Sequence, residues 1–562
     1  MDWQSVEFEY TRPADLGAPP RLHPVVVVGA GPVGLTLALD LAQRLQPSGQ
    51  RVLLLDNDHR LSSGSRAICF AKRTLEIFDR LGVGQLLVDS GVSWNVGRVF
   101  FGSDSVYAFD LLPEPGQAST QQRPAFINLQ QYAVEGELVQ RAMAQANLDI
   151  RWKHQVCGLQ QTPGHVALEV ETPDGRYTLQ AQHLAACDGS RSTLRSLMGL
   201  ETTGRVFQDR FLIADVHIDG ELFDAGRSER WFWFDPPFHP GQSVLLHRQP
   251  EGVWRIDFQL GWQADPDAEK RPEAIVPRVQ ALLRQGFGRD IPFRLVWASV
   301  YTFACQRMQR FRHGRVFFAG DAAHGVSPFG ARGANSGVQD ADNLAWKLAA
   351  VLQGRVQGAA AERLLDSYAS EREFAADENL LNSTRATDFI TPKSDISRVF
   401  RAATLQLARR HPFARRLVNS GRLSVPATLD GSPLSTPDID TLEHALPAAL
   451  RPGAPALDAP LLKNGQPTWL LQELHALAGD AVLLVIGPPP AWPCPVPVLA
   501  VDGDVLADAE GLLAQRYAGQ PPGPGALGVA YLLRPDAHVA ARWRQPTAAA
   551  VQAALARMLG AP

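Results

Sequence analysis

The chain has 562 residues, and 54 Lys and Arg stand against 58 Asp and Glu, for a formal net charge of −4. Charges this balanced and interspersed give no footprint for nucleic acid or an anionic membrane. The length exceeds a single hydrophobic core and predicts roughly two to four domains.

Residues 1–23 read as a polar arm whose first residues lack the basic region and apolar core of a signal peptide. An α/β pattern begins immediately after. Val25–Val28 form a buried strand, Gly29, Gly31 and Gly34 follow in G-x-G-x-x-G spacing with Pro32 between them, and Leu35 to Leu41 open an apolar helix. The first glycine permits the turn, the second lets a pyrophosphate approach the backbone, and the third lets helix pack on strand. The helix N-terminus presents N–H groups and a positive dipole end to phosphate. A second strand, Arg51 to Leu55, delivers Asp56 to a ribose hydroxyl. Together these elements predict a bound adenine dinucleotide. The apolar run from Val25 to Leu39 is too short, and too rich in glycine, for a membrane span.

The α/β pattern covers 24–204 and ends in a strand, Tyr177 to Ala186, that runs into Asp188. Residues 205–300 alternate as half-buried sheet around a helical piece near 273–285. Helix–sheet character returns over 301–400, with long helices near 337–353 and 361–386. A connection over 401–459 leads to a last unit, 460–562, of alternating strands and helices. Cys69, Cys157, Cys187, Cys305 and Cys494 are scattered without a C-x-x-C, which predicts reduced thiols in a cytoplasmic protein and no metal site.

Two further blocks carry chemistry. Asp188-Gly-Ser-Arg-Ser-Thr-Leu-Arg195 follows a strand and opens a helix. In Gly320-Asp321-Ala-Ala-His324 a strand delivers an acid to a turn, and Pro328-Phe-Gly-Ala-Arg-Gly-Ala-Asn335 then lets backbone approach a flat ligand before a helix begins. The N-terminus of that helix can stabilise negative charge on the ligand.

These three motifs, in this order, resemble the single-component class A flavoprotein aromatic hydroxylases, the group of para-hydroxybenzoate and phenol hydroxylases. The resemblance covers roughly residues 24–390. It implies a Rossmann-type FAD-binding domain with an inserted mixed β-sheet substrate domain. FAD would be tightly but non-covalently bound, and NAD(P)H would be a transient co-substrate without a domain of its own. Gly29, Gly31, Pro32, Gly34 and Asp56 would hold the ADP half. Arg66 would contact the ribityl and phosphate portion, and Gln131 the flavin chain. Asp188 belongs to a block serving both FAD and nicotinamide. Gly320 and Asp321 would lie at the ribityl hydroxyls, Pro328 beside the reactive flavin edge, and Gly333, Ala334 and Asn335 around the pyrimidine end. The implied reaction hydroxylates a phenolic substrate with O₂ through a C4a-hydroperoxyflavin, while the protein supplies orientation, a dry pocket and a base.

The segment Trp231 to Trp262 is rich in aromatic residues, as core or as a ligand face. His217, His247 and Tyr301 are candidate partners for a phenolic hydroxyl, each competing with a purely structural role. Arg248 and Arg255 are candidates for a substrate carboxylate or for surface charge. Some phenol-oxidising members of that group carry an acid just after the Arg66 position, where this chain aligns Ile68, so no base carries over. Residues Tyr531–Arg542 resemble the thioredoxin-like C-terminal domain of the phenol hydroxylase branch, without a redox pair. The expected protein is a cytoplasmic homodimer acting on an aromatic small molecule. The alternatives are Baeyer–Villiger, denitrating or dehalogenating oxygenation on the same scaffold, or a flavin-binding protein without turnover.

Overall fold

The computed structural model describes residues 6–62, 64, 67–111, 121–223, 228–418, 423, 425–438, 446–477, 481–501, 504–519 and 528–562. Its first unit begins with β1 (Leu22–Val28), α1 (Pro32–Leu45) and β2 (Val52–Leu55). Then come β3 (Cys69–Ala71), α2 (Lys72–Leu81), α3 (Gly84–Ser90), β4 (Val92–Trp94), β5 (Val96–Phe101), β6 (Asp104–Asp110), β7 (Phe126–Asn128) and α4 (Gln131–Met143). β8 (Leu148–Arg151), β9 (Gln155–Gln161), β10 (Val166–Thr172), β11 (Gly175–Ala186) and α5 (Thr193–Leu197) complete that stretch.

The second unit is built from β12 (Thr202–Ile218), β13 (Glu229–Phe234), β14 (Ser243–Arg248), β15 (Val253–Gln259), α6 (Pro266–Glu269), α7 (Pro272–Phe287) and β16 (Phe293–Met308). The chain returns to the first through β17 (Arg312–His313), β18 (Val316–Phe318) and β19 (His324–Gly325). Four helices follow among the described residues: α8 (Gly333–Leu352), α9 (Gly358–Ile390), α10 (Asp395–Ala408) and α11 (Pro412–Val418).

Continuous apolar runs make parallel strands buried on both faces. β1, all valine at its centre, pairs in parallel with β2 on one side and β11 on the other. The main sheet runs β17-β18-β11-β1-β2-β8. The second sheet runs β19-β16-β12-β15-β14-β13-β5-β6, so residues 96–110, inside the stretch assigned to the first unit, join it. Its alternating strands have two buried faces. One, with Leu212, Val216, Trp233, Val244, Trp254 and Ile256, packs under α7 through Ile275, Val279 and Leu282. The other looks toward the first unit and the end of α9.

The C-terminal unit has a mixed four-stranded sheet in the order Val498–Val501, Val482–Ile486, Val529–Leu533, Val539–Trp543. It docks on the first unit through buried charge. Arg534 spans Glu371 of α9 (2.6 and 3.0 Å) and Asp536 (2.6 Å), with its own side chain fully covered. Lys347 of α8 reaches Glu371 at 2.7 Å, and Arg73 of α2 donates to the Asp536 carbonyl at 2.7 Å. Burial pushes the Glu371 carboxyl up, but Arg534 and Lys347 outweigh it and hold the group well below the usual range. Among the described residues no helix is long and apolar enough to cross a membrane.

Candidate active site

The three motif glycines do three different jobs. Gly29 has φ +105°, and a Cβ there would sit 2.4 Å from the Cys187 carbonyl oxygen. A Cβ on Gly34 would lie 1.8 Å from the Gly29 carbonyl oxygen, so only glycine lets α1 rest on the turn. Gly31, the N-cap of α1, has nothing within 4 Å of its Cβ position. That open face borders a cleft of about 780 Å³ lined by Gly29, Gly31, Asp56, Gln131, Glu135 and Asp188 among others. Pro32 occupies the first helical turn, where its missing N–H costs nothing.

Asp56 takes the Ala30 N–H at 2.5 Å on one oxygen and the Asp58 N–H at 2.7 Å on the other. It therefore braces the glycine turn as well as lining the cleft. Burial raises its pKa against those two backbone donors. At the end of β11, Asp188 accepts from Leu194 N–H at 3.0 Å through Oδ2, while its Oδ1 is buried with no partner. An orphaned carboxylate oxygen is costly unless something polar fills the space beside it.

The second and third motifs are tied to each other. Arg195, last of the Asp188 block, donates to the Ala322 carbonyl at 2.9 Å and the Ser190 carbonyl at 2.7 Å. His324 contacts Asp340 of α8 at 2.6 Å, and the same Asp340 oxygen accepts the Gly320 N–H at 2.9 Å. The histidine of the motif is thus a strut, not a reactive group. Gly320, at φ +60°, and Gly337 both abut Val33 in the first turn of α1, where their Cβ atoms would fall 2.8 and 2.5 Å from its Cγ2. Close packing of small residues brings Asp321 beside the first motif. Asp321 and Pro328 both lie exposed on this loop.

Two expected flavin contacts take a different form. The Asn335 side chain is fully engaged: its Oδ1 accepts from Ala71 N–H (2.8 Å) and Thr74 Oγ1 (2.7 Å), and its Nδ2 donates to the Cys69 carbonyl (2.9 Å) and the Ala331 carbonyl (2.5 Å). What Asn335 presents, with Gly333 and Ala334, is backbone at the first turn of α8. Gln131 likewise spends its amide on Ala67 N–H, Ser62 Oγ and Glu135, and so holds the segment before β3. Arg66 lies outside the described residues.

The inner face of the second sheet corrects the aromatic reading. Trp231, Trp233, Trp254 and Phe258 point away from the first unit, and Trp231 stacks on Phe287 of α7 with ring centroids 5.1 Å apart. Two-residue alternation sends Phe232 and Phe234 the other way. His217 is also corrected: it sits near the far end of β12, half-exposed, 3.5 Å from Asp219, and belongs to no buried cluster with the other candidates. Arg248 pairs with Glu221 toward solvent, whereas Arg255 is buried and bidentate to Asp215, both contacts at 2.8 Å. Tyr301 stands opposite Phe211 and packs in the apolar cluster on the inner face.

His247 is where the expectation and the structure meet. It is buried, and its Nε2 lies 3.0 Å from Asp257 Oδ2. Burial, then the charge of Arg230, push its pKa down to about 4. Burial raises the Asp257 carboxyl, but His247 and the arginines outweigh it and lower it overall. His247 Nδ1, Asp257 Oδ1 and Arg230 Nε are each buried without a hydrogen-bond partner. Asp257 and Arg230 were not singled out from sequence. The available signal was charge at alternate positions in otherwise apolar strands, Arg230 beside Trp231 and Asp257 between Ile256 and Phe258. Arg230 reaches the first unit, with Nη1 3.7 Å from Cys69 Sγ. Among the described residues no group of three His, Cys, Asp or Glu is placed to hold a metal ion.

Comparison with known proteins adds independent findings. A family model described as FAD binding domain matches residues 23–383. The chain is 32% identical over 546 residues to 6-methylpretetramide 4-monooxygenase of Streptomyces rimosus, covering 92% of this chain and 90% of that protein. It is 32% identical over 355 residues to para-nitrophenol 4-monooxygenase of Pseudomonas sp. (strain WBC-3), covering 62% of this chain and 83% of that one. The fold is shared with the flavin-dependent monooxygenase PieE, solved with FAD and substrate, at TM-score 0.74 and 23% identity over 97% of this chain and all of that one.

Proposed function

This chain belongs to the FAD binding domain family, within the FAD-dependent aromatic hydroxylases, and is a flavoprotein monooxygenase; on that premise we propose that it uses NAD(P)H and O₂ to hydroxylate a phenolic ring. The observation that carries the reading is the one cleft shared by the open Gly31 face, Asp56 and Asp188, with the Gly320–Asp321 turn and α8 packed against the first turn of α1 through Val33. The first turn of α8 is tied to the second sheet through Cys69, whose carbonyl accepts from Asn335 and whose Sγ lies 3.7 Å from Arg230 Nη1. When bound, FAD supplies hydride acceptance and oxygen activation, chemistry that side chains cannot perform.

The residues present fit that cofactor. The empty space at the Gly31 Cβ position admits a pyrophosphate against the α1 N-terminus. Asp188 Oδ1 is an acceptor waiting for a hydroxyl. The backbone N–H groups opening α8 receive negative charge at the pyrimidine end.

A fused-ring phenol is the favoured substrate class. The relative named for 6-methylpretetramide matches along 92% of this chain, C-terminal unit included, whereas the nitrophenol enzyme matches along 62%. We read the C-terminal unit as thioredoxin-like in layout and as a packing domain, since its Cys494 is unpaired and its Arg534–Asp536 segment is committed to docking.

The test is oxidation of NADH and NADPH by the purified yellow protein across single-ring and fused-ring phenols, with product mass and NMR. A phenol that accelerates oxidation and yields a ring hydroxyl supports the reading. A lactone product would transfer it to Baeyer–Villiger chemistry. No response to any aromatic would overturn hydroxylation.

A further inference from the structure

The inner face of the second sheet holds a set of complementary polar groups that the fold itself does not use. Arg230 and His247 face each other across β13 and β14, because Trp231 pairs with Leu246 and each of the two lies one residue outward. His247 stands directly opposite Arg255 on β15, and Arg255 is already held bidentately by Asp215. A carboxylate only accepts, so the 3.0 Å contact to Asp257 fixes the His247 proton on Nε2 and leaves Nδ1 as a bare lone pair. Nδ1 is buried and unpartnered, and so is the Arg230 Nε–H. An acceptor beside a donor, both dry, matches one ligand group well: a hydroxyl, which donates to the first and accepts from the second.

The place is also right. Arg230 touches Cys69 Sγ, and the Cys69 carbonyl accepts from Asn335 in the first turn of α8. One residue of β3 therefore separates this cluster from the backbone that would cradle the flavin's pyrimidine end. We propose that the Asp257–His247 pair is the general base that takes the phenolic proton of the substrate, and that Arg230 Nε–H receives the resulting phenolate oxygen. The assignment rests on the hydroxylase reading above and names the base that reading lacks.

In the step, the substrate O–H bond breaks and an N–H bond forms at His247 Nδ1. The imidazolium is compensated by Asp257, the phenolate by Arg230, and no electrons leave either partner. The groups facing His247 are Arg230 from β13, Asp257 and Arg255 from β15, Asp215 from β12 beyond Arg255, and Cys69 from β3. Two cations and burial keep the imidazole neutral at pH 7, the form a base requires. Ionised phenol is richer in electrons at its ortho and para carbons, which is what an electrophilic oxygen needs.

The test uses oxidised holoenzyme without NAD(P)H and the phenols that accelerate turnover by the wild type. Bound phenol is followed by its own absorption as pH is varied. The expected result is phenolate on the wild type at least one pH unit below the phenol's solution pKa, with that shift lost in His247→Gln and reduced in Asp257→Asn. Turnover gives a second readout. His247→Gln slows weakly acidic phenols by roughly 10²–10³-fold, yet slows a nitro-substituted phenol, already ionised at the assay pH, by less than about tenfold. Retention of the bound-flavin spectrum shows that each variant folds. An equal loss along the whole acidity series, or an unshifted phenol on the wild type, overturns the base assignment and leaves hydroxylation standing. If no phenol is oxidised by the wild type, both readings fall together.

Discussion

Gly31 and Gly34 sit three residues apart and predict opposite phenotypes. Alanine at 31 meets nothing within 4 Å, and the N-cap backbone there (φ −75°, ψ −178°) suits any residue. Glycine-to-alanine at a compatible position stabilises by about 0.4–1 kcal/mol through the unfolded chain, and a poorer N-cap offsets that by a similar amount. The apoprotein should therefore unfold within about 1 kcal/mol of wild type. The same methyl occupies the space a pyrophosphate needs. Losing one charge-assisted hydrogen bond costs about 1.5–3 kcal/mol, or roughly ten- to a hundredfold in FAD affinity. Alanine at 34 would place its methyl 1.8 Å from a backbone oxygen and 3.2 Å from Cys187 Cβ, so α1 must move by more than about an ångström. Backbone cannot swing aside as a side chain can, which puts the cost at about 3 kcal/mol in the apoprotein. Thermal unfolding of both apoproteins and fluorescence titration with FAD measure the two quantities separately. Gly31→Ala binding FAD within twofold of wild type, or Gly34→Ala unfolding like wild type, would refute the division of labour.

Arg534→Met takes the shared cation from two buried carboxylates, leaving Glu371 with Lys347 alone, and should cost about 3–5 kcal/mol in denaturant unfolding; wild-type stability in the variant would show that the cluster contributes nothing. His247, with a folded pKa of about 4 against 6.5 unfolded, takes up its proton first in the unfolded chain. Its contribution is complete above pH 6.5 and lost as pH falls toward 4, up to about 3 kcal/mol, so the wild type should lose that much more than His247→Gln across the window. Equal slopes in the two proteins would contradict the sign. Trp254→Ala, emptying the core under α7, should destabilise by about 3–5 kcal/mol while leaving the substrate KM unchanged at a permissive temperature; a raised KM with intact stability would put Trp254 in the pocket after all.

What could be read from sequence was whatever is local. The valine strand, the glycine spacing and Asp56 lie within about thirty residues, and each has a steric reason visible in its own neighbourhood. Alternation in β13 was equally visible, but period two reports that Trp231 and Phe232 face opposite ways and not which way looks at the first unit. That depends on α7 covering one face, a contact set by packing at long range. His217 and His247 are the same residue type on strands β12 and β14, which flank β15. Only the three-dimensional register gives one of them Asp257 and leaves the other near an exposed strand end. Asn335 was placed correctly in a loop–helix junction, yet its side-chain partners come from β3 and α2, more than 250 residues earlier. Buried charge beneath α1 left one local trace, Asp40 inside the apolar run, which Arg44 holds at 2.8 Å and Arg80 of α2 completes at 2.6 and 2.7 Å.

The docking cluster also sets an order of events during synthesis. Glu371 leaves the ribosome 163 residues ahead of Arg534, which at about 5–20 residues per second is a delay of roughly 8 to 33 seconds. Through that interval α8 and α9 carry a carboxylate and a lysine meant for a dry interface whose other wall does not yet exist. The helix whose first turn lies by the flavin motifs is therefore packed against residues made 163 positions after Glu371, and the dry interface closes only once they have emerged.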